Sequence, residues 1–255
     1  MLKIRVIPCL QLIDDSLVKT IKFKNHGYIG DPINTVRIFN ELEVDELCFL
    51  DIRATSQKRD PNFQILEQIA NECFMPLSYG GGIDSLETAQ KIFSIGFEKI
   101  VLNTAAIKNP SLISEIAEVY GNQSIIVSID VKKVFLGGKK VISYNGKEKT
   151  KLDPVDWAKK VESYGAGEIL LTSIDNEGTW EGYDVNLLKS VTDAVEIPVI
   201  AHGGAGNLDH IKEAISNGNV SAVALGSMVV YQSKGLGVLV NFPDRKKLEE
   251  TIKNQ

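Results

Sequence analysis

The chain repeats itself. Met75-Pro-Leu-Ser-Tyr-Gly-Gly-Gly82 returns as Ile197-Pro-Val-Ile-Ala-His-Gly-Gly-Ala205, and Leu102-Asn-Thr104 returns as Leu225-Gly-Ser227, at an offset of 122 to 123 residues. At 122, Asp31-Pro-Ile33 falls on Asp153-Pro-Val155, and Asp45-Glu-Leu-Cys-Phe-Leu-Asp-Ile52 falls on Gly167-Glu-Ile-Leu-Leu-Thr-Ser-Ile174; Val6 to Leu12 falls on Ile125 to Val131 at 119. The chain is two similar halves, about 1–122 and 123–255. A half with four strands would leave its sheet edges unpaired. The two halves are therefore expected to close on each other in a single domain spanning 1–255.

Apolar runs of strand length at 4–10, 46–51, 77–79, 99–103, 125–130, 168–172, 199–202 and 222–225 alternate with helical patterns at 32–42, 63–73, 86–95, 110–119, 154–163, 186–191, 208–217 and 245–253. Eight such units predict an α/β fold of one kind, a (β/α)8 TIM barrel made of two half-barrels. Asp31-Pro32, Asn109-Pro110 and Asp153-Pro154 place a capping residue before a first-turn proline. The stretch Phe135-Leu-Gly-Gly-Lys-Lys-Val-Ile-Ser-Tyr-Asn-Gly146, β-prone between glycine turns, reads as a hairpin inserted after the fifth strand.

Glycines at strand ends let backbone N–H groups approach an anion closely. One glycine pair could be a tight turn and nothing more; its recurrence in each half predicts two phosphate sites and a substrate with a phosphate at both ends. A net charge of -5 argues against nucleic acid or an anionic membrane as the partner. Any affinity for anions must then be local. No apolar run reaches the ~20 residues that span a bilayer, and charges interrupt Met1-Leu-Lys-Ile-Arg-Val-Ile7, so a cytoplasmic protein without a signal segment is expected. Cys9, Cys48 and Cys73 lie in apolar surroundings and are expected to be buried reduced thiols; His26, His202 and His210 lack partners at metal-ligand spacing. Neither metal nor cofactor is expected.

In a barrel the chemistry sits at the C-terminal strand ends. Those ends carry Gln11, Asp51, Gly80, Gly81, Gly82, Asn103, Thr104, Asp130, Thr172, Ser173, Gly203, Gly204, Gly226 and Ser227. Asp130, a carboxylate at the mouth of an apolar barrel, is the candidate general acid or base, because burial tunes its pKa. The alternative is a carboxylate that orders its own loop, and for Asp51 the two readings weigh equally. Lys19 is expected in a mobile first loop as an anchor over a charged substrate. Asp175 and Glu177 could shape the loop over the second phosphate, with Gly178 and Thr179 as donors, although a plain surface turn competes. At the opposite end, Arg5, Glu46, Lys99 and Glu168 fall at strand starts, where they could form a ring of ion pairs closing the barrel bottom. That ring is either a plug for stability or a passage for a small polar molecule.

Gly30-Asp-Pro32, Phe49-Leu-Asp-Ile52, Tyr79-Gly-Gly-Gly-Ile83, Asn103-Thr-Ala-Ala106, Asn109-Pro-Ser-Leu-Ile113, Gly165-Ala-Gly-Glu-Ile-Leu-Leu-Thr-Ser-Ile-Asp175, Gly182-Tyr-Asp184 and Gly203-Gly-Ala-Gly206 occur in order. With them the chain resembles, over nearly its whole length, the cyclase subunit of imidazole glycerol phosphate synthase, the barrel partner of a glutaminase in histidine biosynthesis. The resemblance implies a heterodimer in which ammonia from glutamine passes through the barrel bottom to a two-phosphate substrate at the top. It implies Arg5, Glu46, Lys99 and Glu168 as the ammonia gate, Glu98 as a partner-interface residue, Asp130 as a catalytic aspartate, and the glycine loops as phosphate sites.

One position departs from the family pattern. Where the family ends strand one in Cys-Leu-Asp, this chain has Cys9-Leu-Gln11. An amide neither takes nor gives a proton at neutral pH. Gln11, the Ile13-Asp-Asp-Ser-Leu-Val-Lys-Thr20 segment and Cys73-Phe-Met-Pro76 look more like the paralogues that accompany sugar amidation in bacterial surface polysaccharide synthesis, where ammonia is delivered to a separate amidotransferase. Three functions follow as expectations. The chain is an ammonia-accepting subunit serving sugar amidation, a histidine-pathway cyclase in which Gln11 only orients substrate, or a non-catalytic activator of the glutaminase.

Overall fold

The computed structural model describes residues 4–135 and 138–253. Met1, Leu2 and Lys3 of the amino-terminal reading, and Leu136 and Gly137 of the expected hairpin, lie outside the described residues. In chain order the elements are β1 (Arg5–Ile13), β2 (Ser16–Ile21), β3 (Lys24–Gly30), α1 (Pro32–Glu41), β4 (Leu47–Asp51), α2 (Ala54–Gln57), α3 (Phe63–Glu72), β5 (Leu77–Gly80), α4 (Leu86–Ile95), β6 (Lys99–Leu102), α5 (Thr104–Lys108) and α6 (Ser111–Tyr120). The second half continues with β7 (Ile125–Val134), β8 (Gly138–Ser143), β9 (Glu148–Lys149), α7 (Pro154–Ser163), β10 (Glu168–Ser173), α8 (Val185–Thr192), β11 (Val199–His202), α9 (Leu208–Ser216), β12 (Ala222–Leu225), α10 (Ser227–Val230) and α11 (Arg245–Lys253).

Eight parallel strands, β1, β4, β5, β6, β7, β10, β11 and β12, pair in that order, and β12 pairs back onto β1. The sheet is closed, with helices between its strands, so the chain is a (β/α)8 TIM barrel. Closure removes the unpaired edges that each half alone would expose. Side-chain alternation along the strands then separates two apolar clusters. Ile7, Cys9, Cys48, Val101, Ile126, Leu170, Ile200, Ala222 and Ala224 fill the lumen. A larger cluster, among it Phe39, Phe49, Ile69, Ile92, Ile116, Trp157 and Val191, packs the outer face of the sheet against the helices.

Helix starts follow the expected chemistry where an acid precedes proline. Asp31 accepts the Asn34 N–H at 2.7 Å, and Asp153 accepts the Val155 N–H at 2.9 Å. Asn109-Pro110 differs: the helix begins at Ser111, and Asn109 closes α5 instead. Cys9 and Cys48 are buried as expected, whereas Cys73 is half-buried.

The largest departure is in the first loop. β1 runs on to Ile13, reverses at Asp14 and pairs antiparallel with β2, which pairs with β3. Leu17 and Val18 are buried there, so an ordered sheet extension stands where a mobile loop was expected. The expected hairpin after the fifth strand is present as β7 and β8, paired from Asp130–Ile142 to Val134–Gly138.

Candidate functional site

Three side chains stand level across adjacent barrel strands. Asp130 on β7 is in register with Thr172 on β10, and Thr172 with His202 on β11. All three are buried and line one cavity at the C-terminal ends of the strands, shared with Gln11, Asn103 and Ser128. Residues two apart on a strand share a face, so Asp130 follows the lumen residues Ile126 and Ser128 and His202 follows Ile200. The apolar lumen lies directly below them.

Asp130 accepts from the Ser128 hydroxyl at 3.0 Å and from the Asn103 amide at 3.2 Å. Burial pushes its pKa up to about 6, against hydrogen bonds from the Ser128 and Thr172 hydroxyls that favour the charged form. A carboxyl poised near neutrality is suited to proton transfer. Thr172 Oγ1 lies 3.0 Å from His202 Nδ1. Burial, and then the charge of Lys19, lower the His202 pKa to about 4, so its imidazole is neutral at physiological pH.

Gln11 is a brace in this arrangement. Its Oε1 accepts the Thr20 N–H at 2.9 Å, pinning β2 to the end of β1. Lys19, expected as a mobile anchor, is a buried strand residue. Its ammonium pairs with Glu177 and donates to the Thr20 carbonyl at 2.8 Å. Glu177 in turn accepts from the Thr20 hydroxyl at 3.0 Å and the Phe23 N–H at 3.1 Å. The Lys22–Phe23 turn has positive φ at both residues, and Glu177 holds it from both main chain and side chain. Such a turn, costly for residues with a Cβ, lays Phe23 against Gly146 over the cavity.

The first glycine cradle consists of Gly81 (φ 124°) and Gly82 (φ 72°) beside Asn103 and Thr104. A Cβ on Gly81 would lie 2.5 Å from the Asp51 carbonyl, so only glycine fits. The Gly82 N–H donates to Thr55 Oγ1 at 3.2 Å, and Thr104 Oγ1 donates to Asn103 and accepts the Tyr144 N–H. Lys58, Arg59 and Lys108 line the adjoining depression and supply local positive charge in an acidic chain.

The second cradle, formed by Gly178, Gly203, Gly204, Gly226 and Ser227, is closed in by Lys19, Glu177 and His202 and leaves almost no free space. The Lys19 stem lies on Gly226, where a Cβ would come within 2.9 Å of it. This cradle is occupied by the protein's own ion pair. A phosphate entering it would meet the Glu177 carboxylate.

Two expected ligands are committed elsewhere. Asp51 accepts the Arg53 and Ala54 N–H groups, each at 2.9 Å, and pairs with Arg59 at 2.8 Å, so it orders its own loop. The Thr179 N–H and hydroxyl both donate to the Asn176 carbonyl, within the turn. Asp175 similarly accepts the Lys133 N–H at 2.8 Å.

At the opposite end of the barrel Arg5, Glu46, Lys99 and Glu168 form a closed alternating ring. Arg5 reaches Glu46 and Glu168, each at 2.7 Å, and Lys99 reaches Glu168 at 2.7 Å and Glu46 at 3.3 Å. For Glu168, burial alone would raise the pKa. The hydrogen bond and charge of Arg5, joined by Lys99, outweigh it and leave the pKa below the ordinary value. Glu98 is exposed on the same end, and its carboxylate accepts the Leu77 N–H at 2.6 Å. Among the described residues no cluster of three or more potential metal ligands occurs, and no helix is long and apolar enough to cross a membrane.

A closed barrel with paired glycine cradles above and an ionic ring below is matched in sequence as well. The family model for the histidine biosynthesis protein matches residues 5–234. The chain belongs to this family. It is 49% identical over 249 residues, 98% of this chain and 99% of the relative, to a Pseudomonas aeruginosa protein provisionally named imidazole glycerol phosphate synthase subunit hisF2. A Leptospira interrogans protein provisionally named subunit HisF of the same synthase is 48% identical, covering 98% of each chain. A Vibrio vulnificus protein provisionally named subunit hisF3 is 42% identical, covering 99% of this chain and 97% of its own. The resemblance to the cyclase subunit thus extends over the full barrel of this histidine biosynthesis family member.

One residue of the cavity wall, His202, is absent from the strand-end candidates of the sequence. His202 was passed over for want of metal-ligand spacing, although it stands beside the second glycine cradle. Position at a strand end was the signal for His202. Glu177, expected to shape the loop over the second phosphate with a plain surface turn as the competing reading, is 1% exposed, so the surface turn does not hold for it.

Proposed function

We propose that this chain is the ammonia-accepting synthase subunit of a glutamine amidotransferase, serving sugar amidation in surface polysaccharide synthesis. A glutaminase subunit docks below, at the end of the barrel where Glu98 is exposed. Ammonia enters through the Arg5–Glu46–Lys99–Glu168 ring and crosses the apolar lumen toward Asp130. The phosphorylated acceptor lies on the Gly81–Gly82 cradle, with Asn103 and Thr104 beside it. A separate sugar amidotransferase is the further partner.

The observation that carries this reading is the pairing of Lys19 with Glu177 in the second cradle, together with Gln11 acting as a brace. Both features leave the barrel poorly arranged for a substrate carrying two phosphates and for acid–base chemistry at strand one. A second reading, the histidine-pathway cyclase, is favoured by the intact Asp130–Asn103–Thr172 cluster. In that reading ammonia and the phosphoribulosyl aminoimidazole-carboxamide ribonucleotide give imidazole glycerol phosphate and the carboxamide ribonucleotide. Single-turnover cyclisation of that substrate with excess ammonium salt separates the two, because it needs no glutaminase. Substrate binding without product supports the first reading, and product formation well above background supports the second.

A further inference from the structure

Gln11 brings no ionisable group to the upper cavity, so any proton-transfer group besides Asp130 has to come from elsewhere on its wall. His202 lines both the main cavity and the second cradle. Its Nδ1 is taken by Thr172, and its Nε2 has no partner among the described residues. Among the described residues the buried side-chain polar atoms without a partner are Tyr79 Oη and Trp157 Nε1, both away from this cavity, so His202 Nε2 is not sealed off and faces the cavity it lines.

The order of the three side chains across adjacent strands points to one tautomer. An ionised carboxylate only accepts, and a threonine hydroxyl has one proton to give. With its hydroxyl turned to Asp130, its neighbour in register, Thr172 accepts from His202 Nδ1–H. Nε2 is left with a lone pair facing the cavity. We propose that His202 is a catalytic base of this site, with Nε2 taking the proton shed by the nitrogen nucleophile and Thr172 relaying charge to Asp130. The nucleophile's N–H bond breaks as Nε2–H forms, the Nδ1 proton passes to the Thr172 oxygen, and the Thr172 proton passes to the Asp130 carboxylate. The imidazole ends neutral and Asp130 ends protonated, with no electrons gained or lost.

This route reconciles a weakly basic imidazole with the role of base. His202 never has to hold a positive charge, since the proton is stored on a carboxyl held near pH 6. The charged groups facing the imidazole are Lys19 on β2 and Glu177 in the loop after β10, with Asp130 on β7 beyond Thr172. Lys19 opposes imidazolium formation and Glu177 favours it, and the two are paired with each other.

The inference rests on the upper cavity accepting ammonia, and its wiring can be tested apart from that reading. Nitrogen-15 spectra of the wild-type protein are expected to show His202 as the Nδ1–H tautomer at pH 7 to 8, where Asp130 is ionised. Thr172→Val should redistribute it toward Nε2–H. A protonated Nε2 in the wild type, or a tautomer indifferent to Thr172→Val, overturns the proposal whether or not the protein turns over. In ammonium-driven turnover, His202→Gln is expected to lower kcat by about 100-fold or more, in the range for general-base removal, with KM little changed. Added imidazole should partly rescue His202→Ala. An unchanged kcat in His202→Gln overturns the catalytic role. Absence of product from the wild type with the histidine-pathway substrate overturns the catalytic role of His202 toward that acceptor, and the spectra alone then decide the wiring.

Discussion

The side-chain carbonyl of Gln11 accepts the Thr20 backbone N–H at 2.9 Å, joining the end of the first barrel strand to the strand that carries Lys19. The residue that departs most from the family pattern is therefore part of what holds Lys19 on Glu177. An aspartate there is one methylene shorter and would release β2.

Gln11→Asp is expected to raise single-turnover cyclisation with ammonium and to lower stability by about 1 kcal/mol, the net worth of one buried hydrogen bond. Rapid-quench product analysis and urea unfolding read the two effects. A loss of stability with no gain in product places the divergence beyond position 11, in the Lys19–Glu177 pair.

Lys19→Met keeps the stem that packs on Gly226 and removes the charge. It leaves the Glu177 carboxylate buried without its cation, at a cost of about 3–5 kcal/mol. Adding Glu177→Gln should recover most of that stability, because the uncompensated charge is gone. Chemical unfolding of both variants checks this, and equal stability of the single and double variants would refute a buried ion pair.

Asp130→Asn should abolish ammonium-driven product while leaving stimulation of the glutaminase intact. Its pH-dependent stability has a defined sign. A carboxyl raised from 3.8 to about 6 binds protons more tightly in the folded chain, so its contribution to stability is full below 3.8 and is lost as pH rises through 6. Above pH 6 the wild type carries a penalty on the order of 3 kcal/mol that asparagine lacks. The variant should thus be the more stable form at pH 7.5, with the difference closing near pH 4 in thermal melts.

Glu168→Gln opens the lower ring and leaves Arg5 and Lys99 sharing Glu46. A cost on the order of 2 kcal/mol is expected at pH 7, between an exposed pair and a fully buried one. Because the Glu168 pKa is lowered in the folded chain, its stabilisation is present above the unfolded value near 4.5 and fades as pH falls through the folded one. In the assembled complex the ratio of glutamine-driven to ammonium-driven turnover should drop. A ratio equal to that of the wild type would mean that the ring is only a plug.

The barrel was legible because the signals for it are local and repeated. Glycine runs at 80–82 and 203–204, the apolar strands before them, and acid–proline starts at Asp31 and Asp153 each depend on neighbours in sequence. The halves' offset then implied closure, since a half-sheet cannot leave its edges unpaired. The strand-end position of Asp130 and the strand-start charges of Arg5, Glu46, Lys99 and Glu168 followed from that register. Tertiary structure alone decided the partners. Lys19 and Glu177 are 158 residues apart and meet only because β2 folds back over the second cradle. Thr172 and His202 are 30 apart and meet because two strands align in register. Burial, desolvation and tautomer depend on which groups face each other across the closed barrel, and spacing along the chain carries no record of that.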